Sequence, residues 1–288
     1  MPKRNLAMER TALITGASSG FGLLTTVTLA KRGWRVLATM RDLNRRGKLE
    51  AAARAAGVLD RIEFLALDVT NAGHVATIAA LVAARPTPLD ALVNNAGFAM
   101  AGFAEDVTDA ELRQQFETNF FGTAAVTRAF LPQFRRQGNG HIVMVSSISG
   151  RMGFPGVSSY TASKFALEGW AETLRLEMKP LGVQVVLVEP GSFETDIWTR
   201  NAIIAAGAQN TSSPNAARAA CLLSRRETGK LKANPQVVAD GIAAILDNPR
   251  PRLRHVFGKD AHFGLLLKRL MPSGILEWLL IRVTGIGV

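Results

Sequence analysis

The 288-residue sequence predicts an α/β fold, a doubly wound parallel sheet with helices on both faces. Three observations carry that expectation. Short apolar runs alternate with helical stretches of roughly 10–25 residues through the first two-thirds of the chain, which indicates repeated βαβ units. The runs suit strands buried on both faces of a sheet. A glycine-rich turn, Thr15-Gly16-Ala17-Ser18-Ser19-Gly20-Phe21-Gly22, joins the first run to the first helix.

The elements follow in order. Ala12-Leu13-Ile14 is the first expected strand, and a helix runs from Phe21 to Arg32. Arg35–Met40 is the second strand, and the alanine-rich Arg45–Ala56 is helical. Phe64–Leu67 and His74–Ala84 form the third strand and helix. Leu89–Val93 is the fourth strand. Asp109–Arg136 reads as one long helical stretch, stopped by Gly138-Asn139-Gly140. His141–Val145, Ser158–Lys179 and Val183–Val188 complete the alternation as strand, helix and strand. After Gly191 the periodicity weakens, and residues 192–234 read as a substrate loop beyond the end of the sixth strand, where open α/β sheets bind ligands. Pro235–Asp247 resumes as a helix. Residues 8–249 are thus expected to form one catalytic domain, and 250–288 a basic, apolar C-terminal extension of it. The apolar run Phe263–Leu280 is too broken by Lys268, Arg269, Pro272, Gly274 and Glu277 to span a membrane, which takes about 20 mostly apolar residues. It suits a membrane-surface helix, a cover over the site, or a subunit contact.

Composition bounds the function. The chain is 48% hydrophobic and 20% charged, as in a globular protein. Its one cysteine, Cys221, excludes an internal disulfide and fits a reducing, cytoplasmic setting. The four histidines lack metal-ligand spacing, so no metal is expected. No signal peptide is expected from Met1-Pro2-Lys3-Arg4-Asn5 onward. The net charge of +11 fits either an anionic partner surface or a solvated arginine-rich exterior. Without a nucleic-acid motif, no nucleic acid is expected.

The chemistry centres on the only tyrosine, Tyr160, four residues before Lys164. Positions i and i+4 share a helix face. A nearby ammonium favours the phenolate and draws a phenol pKa down from about 10. Ser147 could hold a carbonyl or alcohol oxygen beside the phenol. That set suits the proton transfer accompanying hydride transfer. The glycines of the first turn allow close approach of a pyrophosphate, favoured by the helix N-terminus behind them. The second strand should end near Met40, which puts Arg41 ahead of Asp42. An arginine there accommodates a 2′-phosphate, so NADP(H) is favoured, with NAD(H) as the alternative. Asp68-Val69, Asn94-Asn95-Ala96-Gly97 and Pro190-Gly191 follow later strand ends, and Asn119 stands where asparagine is a poor helix former.

These motifs, from Thr15–Gly22 through Asn94–Gly97, Asn119, Ser147, Tyr160-x-x-x-Lys164 and Pro190-Gly191-x-x-x-Thr195, resemble the short-chain dehydrogenase/reductase family over residues 10–200. The strings Ala38–Asp42 and Ser158–Gly169 are similar to the branch of 17β-hydroxysteroid and retinol dehydrogenases. The resemblance implies a single-domain Rossmann fold and a catalytic set of Asn119, Ser147, Tyr160 and Lys164. It implies cofactor contacts from Gly16, Ser18, Ser19, Gly20, Phe21, Gly22, Arg41, Asp68, Val69, Asn95, Ala96, Gly97, Tyr160, Lys164, Pro190, Gly191, Phe193 and Thr195. Asn119 would support a relay water. An apolar alcohol or carbonyl substrate would meet Phe98, Met100, Ser147, Ser149, Phe154, Tyr160, Ile197 and Trp198. It also implies a homodimer or homotetramer through Asp109–Arg136 and Ser158–Lys179. A non-enzymatic NADP(H)-binding regulator and a membrane-surface protein are the alternative readings on this fold.

Overall fold

The computed structural model describes residues 9–195, 197, 201–228 and 233–286, and the side chains of 223–228 lie outside that description. Its central sheet contains β1 (Thr11–Ile14), β2 (Arg35–Met40), β3 (Ile62–Ala66), β4 (Ala91–Asn94), β6 (Gly140–Val145), β7 (Val183–Pro190) and β9 (Arg254–Phe257). The strand order is β3-β2-β1-β4-β6-β7-β9, every pairing parallel. Successive side chains of a strand point to opposite faces, and the apolar residues divide accordingly. Ile14, Val36, Ala38, Val143 and Val186 pack on one face, with α1 (Gly20–Lys31), α2 (Gly47–Ala55) and α8 (Gln236–Asp247). Leu13, Leu37, Ile142, Met144, Val185 and Leu187 pack on the other, with α3 (Ala72–Ala83), α5 (Thr123–Gln137) and α6 (Ser158–Met178). The expected doubly wound sheet is present.

The long helical stretch begins as α4 (Asp109–Phe116), whose Thr108 and Glu111 form a reciprocal capping box. It passes through a π-helical turn at Glu117–Gly122 and continues as α5. The segment read as an irregular loop contains β8 (Ala202–Ile204), which pairs with β5 (Ala99–Ala101), and α7 (Ala216–Thr228). The C-terminal region holds β9, α9 (Lys259–Leu270) and α10 (Ser273–Thr284). No local pattern in the sequence announces β9. It has only four residues, all half-buried, and two of them are polar.

Buried charge fastens this last strand. The Glu189 carboxylate on β7 is fully buried and accepts from Arg151 Nη1 at 3.2 Å. Arg254 Nε on β9 lies 2.9 Å from Glu189 Oε1 and 3.1 Å from Glu168 Oε2 on α6. Burial, then the neighbouring Glu189 charge, pushes the Glu168 carboxyl above the usual carboxylate range. We expect Arg254→Ala to lower the unfolding free energy by about 3–5 kcal/mol at neutral pH, because it leaves buried carboxylates undercompensated. A raised carboxyl pKa in the folded state stabilises at low pH, and that contribution is lost as pH rises past the ordinary carboxylate range. The deficit should therefore shrink on acidification. Urea unfolding at several pH values measures both, and a loss below about 1 kcal/mol would contradict the burial argument.

Candidate active site

Parallel strands place all their C-terminal ends on one edge, and the edge opens where the chain leaves β1 for β2 on one side and later returns to β4 on the other. A cleft of about 550 Å³ lies there. Its floor is the turn after β1, which asparagine holds in shape. Asn95 Nδ2 donates to the carbonyls of Thr15 and Gly16, each at 3.0 Å, while Thr15 Oγ1 accepts from the backbone amides of Asn95 and Ala96. The close fit explains two glycines. Gly16 has φ +68°, and a Cβ there would sit 2.8 Å from Ala96 Cα. A Cβ on Gly22 would lie 2.4 Å from both Asn95 Nδ2 and the Gly16 carbonyl oxygen.

Most of the expected cofactor residues line this cleft. Gly16, Ser18, Ser19, Gly20 and Phe21 form one side, at the N-terminus of α1. Asp68 and Val69 after β3, Asn95, Ala96 and Gly97 after β4, and Thr195 form the rest. Strand β2 ends at Met40, and Arg41 faces the cleft as expected. Asp42 also borders it, but its carboxylate accepts from the Asn44 amide at 2.9 Å and caps the short 3-10 turn Leu43–Arg46. Arg45, which the sequence analysis did not single out, faces the same cleft. It borders a side pocket with Ser18, Ser19, Asn44 and Lys48. The glycine cradle, the helix N-terminus and this cationic edge together fit an anionic dinucleotide. Gly22 is buried beneath the turn. Pro190, Gly191 and Phe193 stand off the cleft wall. Phe193 is buried edge-on against Phe21, with ring centroids 5.6 Å apart.

The Pro190–Thr195 segment is tied down from the C-terminal region. The Gly191 amide donates to the Phe257 carbonyl at 2.8 Å, and the Ser192 amide to Asp260 Oδ2 at 2.7 Å. Neither partner carries a local sequence signal.

The candidate catalytic side chains lie beside the cleft, nearly closed to solvent. Tyr160 is 3% exposed, and its hydroxyl is hydrogen-bonded to Ser147. Ser147 Oγ also accepts from the Ser149 amide at 3.1 Å. Lys164 Nζ donates to the Val145 carbonyl at 2.8 Å and lies 5.8 Å from the Tyr160 ring centroid. Asn119 sits in the π-helical turn, a feature often found at functional sites. Its Nδ2 donates to the Phe98 carbonyl and to Ser163 Oγ, and its Oδ1 accepts from the Phe98 amide. Gln115 makes a second such clasp, accepting from the Met100 amide and donating to the Phe98 carbonyl. Sequence reasoning missed Gln115, which looks like an ordinary polar helix residue.

Electrostatics differ from the simple expectation for a Tyr-Lys pair. Burial pushes the Tyr160 phenol up to about 12, and the Ser147 hydroxyl pulls only partly the other way. Burial draws Lys164 down to about 8, against the pull of the Glu168 carboxylate. The phenol is therefore a protonated donor at neutral pH.

The apolar substrate candidates divide. Ala99, Val157 and Tyr160 form a small cluster with Phe154 and Ile197 packed against it. Phe98 and Ile197 also border the cleft. Met100 is fully buried and Ser149 nearly so. Trp198 lies outside the described residues.

A spectrophotometric titration reads Tyr160 alone, because it is the only tyrosine. In a rapid pH jump read before unfolding, the tyrosinate signal should rise near 12. A midpoint at or below the ordinary value of about 10 would overturn the burial argument.

The short chain dehydrogenase family model matches residues 10–203. The chain is 41% identical over 274 residues to an uncharacterised oxidoreductase of Bacillus subtilis, YusZ, covering 94% of this chain and 97% of that one. It is 36% identical to human retinol dehydrogenase 8, covering 86% and 81%. To human 17-beta-hydroxysteroid dehydrogenase type 1 it is also 36% identical, covering 93% and 83%. Among solved structures, a short-chain dehydrogenase from Streptomyces avermitilis superposes with a TM-score of 0.80 at 34% identity, covering 98% and 99%. A short chain dehydrogenase/reductase from Burkholderia phymatum in complex with NAD gives 0.76 at 26%, covering 94% and 95%. A Burkholderia cenocepacia short chain dehydrogenase in complex with NADP gives 0.69 at 25%, covering 92% and 98%.

Proposed function

The chain belongs to the short-chain dehydrogenase/reductase family, and from that premise we propose an NADP(H)-dependent oxidoreductase that interconverts a bulky apolar ketone or aldehyde with its alcohol. One observation carries the reading. A buried, protonated phenol is hydrogen-bonded to a serine hydroxyl and packed against apolar side chains, beside a cleft suited to an anionic dinucleotide.

A nicotinamide dinucleotide held by the glycine turn and Arg41 would supply the hydride, and the remaining roles fall to this chain. Ser147 Oγ bonds the carbonyl oxygen and holds it near Tyr160. Tyr160 Oη gives its proton to that oxygen as charge develops on it. The Lys164 ammonium stabilises the phenolate left behind. Oxidation runs the same steps backward, with the phenolate as base. Asn119 fixes the Phe98 backbone against α6 and supports a relay water. Arg41, assisted by Arg45, holds the 2′-phosphate. Phe98, Phe154 and Ile197 shape an apolar pocket that excludes water from the reacting oxygen. The full proton-transfer set favours an enzyme over a cofactor-binding regulator, which needs no proton donor. The exposed Phe121, Phe165 and Leu176 on the α4–α6 faces support a homodimer or homotetramer. A cytoplasmic setting completes the reading.

Turnover of NADPH against steroid, retinoid, aryl and aliphatic ketones tests the proposal. Tyr160→Phe should lower kcat at least about 10³-fold while NADPH still quenches intrinsic fluorescence on binding. Retained turnover would sink the mechanism. Arg41→Ala should weaken NADPH by about tenfold or more and leave NADH nearly unchanged. Equal losses for the two nucleotides, measured by titration, would remove the phosphate role.

A further inference from the structure

Among the described residues, an exposed apolar surface lies far from the dinucleotide cleft in sequence. Half of the exposed large apolar side chains among the described residues lie between Phe263 and Val283. On α9 they are Phe263, Leu266 and Leu270, at helical spacing i, i+3, i+7. On α10 they are Ile275, Trp278 and Ile281, at i, i+3, i+6. Each helix thus turns one apolar stripe outward. The opposite sides carry Ala261, Leu265, Leu276, Leu279 and Leu280, buried or half-buried against the protein. Both helices are twelve residues long, and no described helix is long and apolar enough to cross a membrane.

Charge identifies the occupant. Lys259, Lys268, Arg269 and Arg282 are exposed along the same two helices. The same two helices carry only two acidic residues, Asp260 and Glu277, so cations remain in excess along them. The Arg282 guanidinium lies 5.3 Å from the Trp278 ring centroid, so a cation flanks the most amphipathic apolar residue of the patch. A two-fold contact would place this surface against itself and bring like charges together. Anionic lipid headgroups complement it, with the apolar stripes at the acyl boundary and indole and cations at headgroup level. The chain's net charge of +11 adds attraction over a longer range.

We infer that the outward face of α9 and α10 docks on an anionic lipid surface. The position gives the docking a use. Gly264 on α9 abuts Met152, where an added Cβ would sit 3.3 Å from the sulfur, and Lys268 donates to the Arg151 carbonyl. Arg151 and Met152 follow the Ser147 turn and lead to Phe154. The inward side of α9 therefore packs on the segment that leads to the proposed apolar pocket, and the docked side lies one helix away, which sets that pocket near the membrane surface. Docking itself does not depend on the proposed reaction; only that use of it does.

The experiment is sedimentation of the full chain with phosphatidylglycerol-containing vesicles and with pure phosphatidylcholine vesicles, at low and high salt. Binding should be about tenfold or more stronger on the anionic vesicles and weaken with salt. Phe263→Glu with Trp278→Glu should abolish it while the thermal melt stays in place. Arg269→Gln with Lys259→Gln, which keeps the apolar stripes, should weaken it severalfold. Light scattering of the Phe263→Glu, Trp278→Glu protein should show an unchanged oligomer. A loss of oligomer instead would assign the face to a second copy and overturn the proposal. So would absence of sedimentation at low salt, or binding unaffected by the substitutions. NADPH turnover without vesicles reads the reaction separately, so failure of one does not mask the other.

Discussion

Every strand of the main sheet points the same way, and the site depends on that constraint. Parallel strands cannot be joined by tight hairpins, so each returns by a long crossover and each ends on the same edge. The loops that carry Ser18, Arg41, Asp68, Asn95, Ser147 and Pro190 are gathered there by direction alone. The sheet is buried on both faces, which leaves that edge free to take polar residues without loss of core. Asn95 then converts neighbouring loop ends into a fixed surface. Its amide bonds two consecutive carbonyls of the first turn, and Thr15 returns two bonds to the loop after β4. The glycines at 16 and 22 are the sequence consequence of that contact, since side chains there would occupy its space.

The other side of the site is organised by charge. Glu168, Glu189, Arg151 and Arg254 come from α6, β7, the segment after Ser147 and β9. Two buried carboxylates need two cations nearby, so these four elements hold together or lose stability together. Glu168 stands one helical turn beyond Lys164, and its charge acts on that lysine. The final strand is thereby linked to Lys164, although none of its residues borders the cleft. Asp260 repeats the pattern a few residues later by bonding the Ser192 amide. The C-terminal region is part of the framework that positions Phe193 and Thr195.

What could be read from the sequence was what local chemistry encodes. Six strands of the main sheet, β1 to β4, β6 and β7, announce themselves as apolar runs between helical patterns. The turn glycines, Arg41 and the Tyr-Lys spacing carry their own reasons at short range. Asn119 stood out as a poor helix former, but nothing local revealed the π-helical turn around it. Gln115, Arg45, Arg254 and Asp260 were invisible because their meaning lies in partners far along the chain. Strand β9 was missed because Arg-His-Val-Phe is short and half-polar, and it exists by pairing with β7. Helix α7 fell in a stretch whose weak periodicity hid it.

The proton chemistry shows most clearly why spacing alone misleads. Helical spacing puts an ammonium near the phenol, and in open solvent that would lower the phenol pKa. Here both groups are buried, and desolvation acts on each in the direction of neutrality. The lysine loses its proton near 8, well before the phenol near 12. On simple titration, then, an ammonium and a phenolate do not coexist. They coexist only when the phenol gives its proton to something other than solvent, while the lysine is still charged. A carbonyl oxygen gaining negative charge is such an acceptor. In the proposed reaction the pair is thus less a ready base than an acid whose conjugate base is stabilised once it forms. That asymmetry arises from burial, which no residue spacing records.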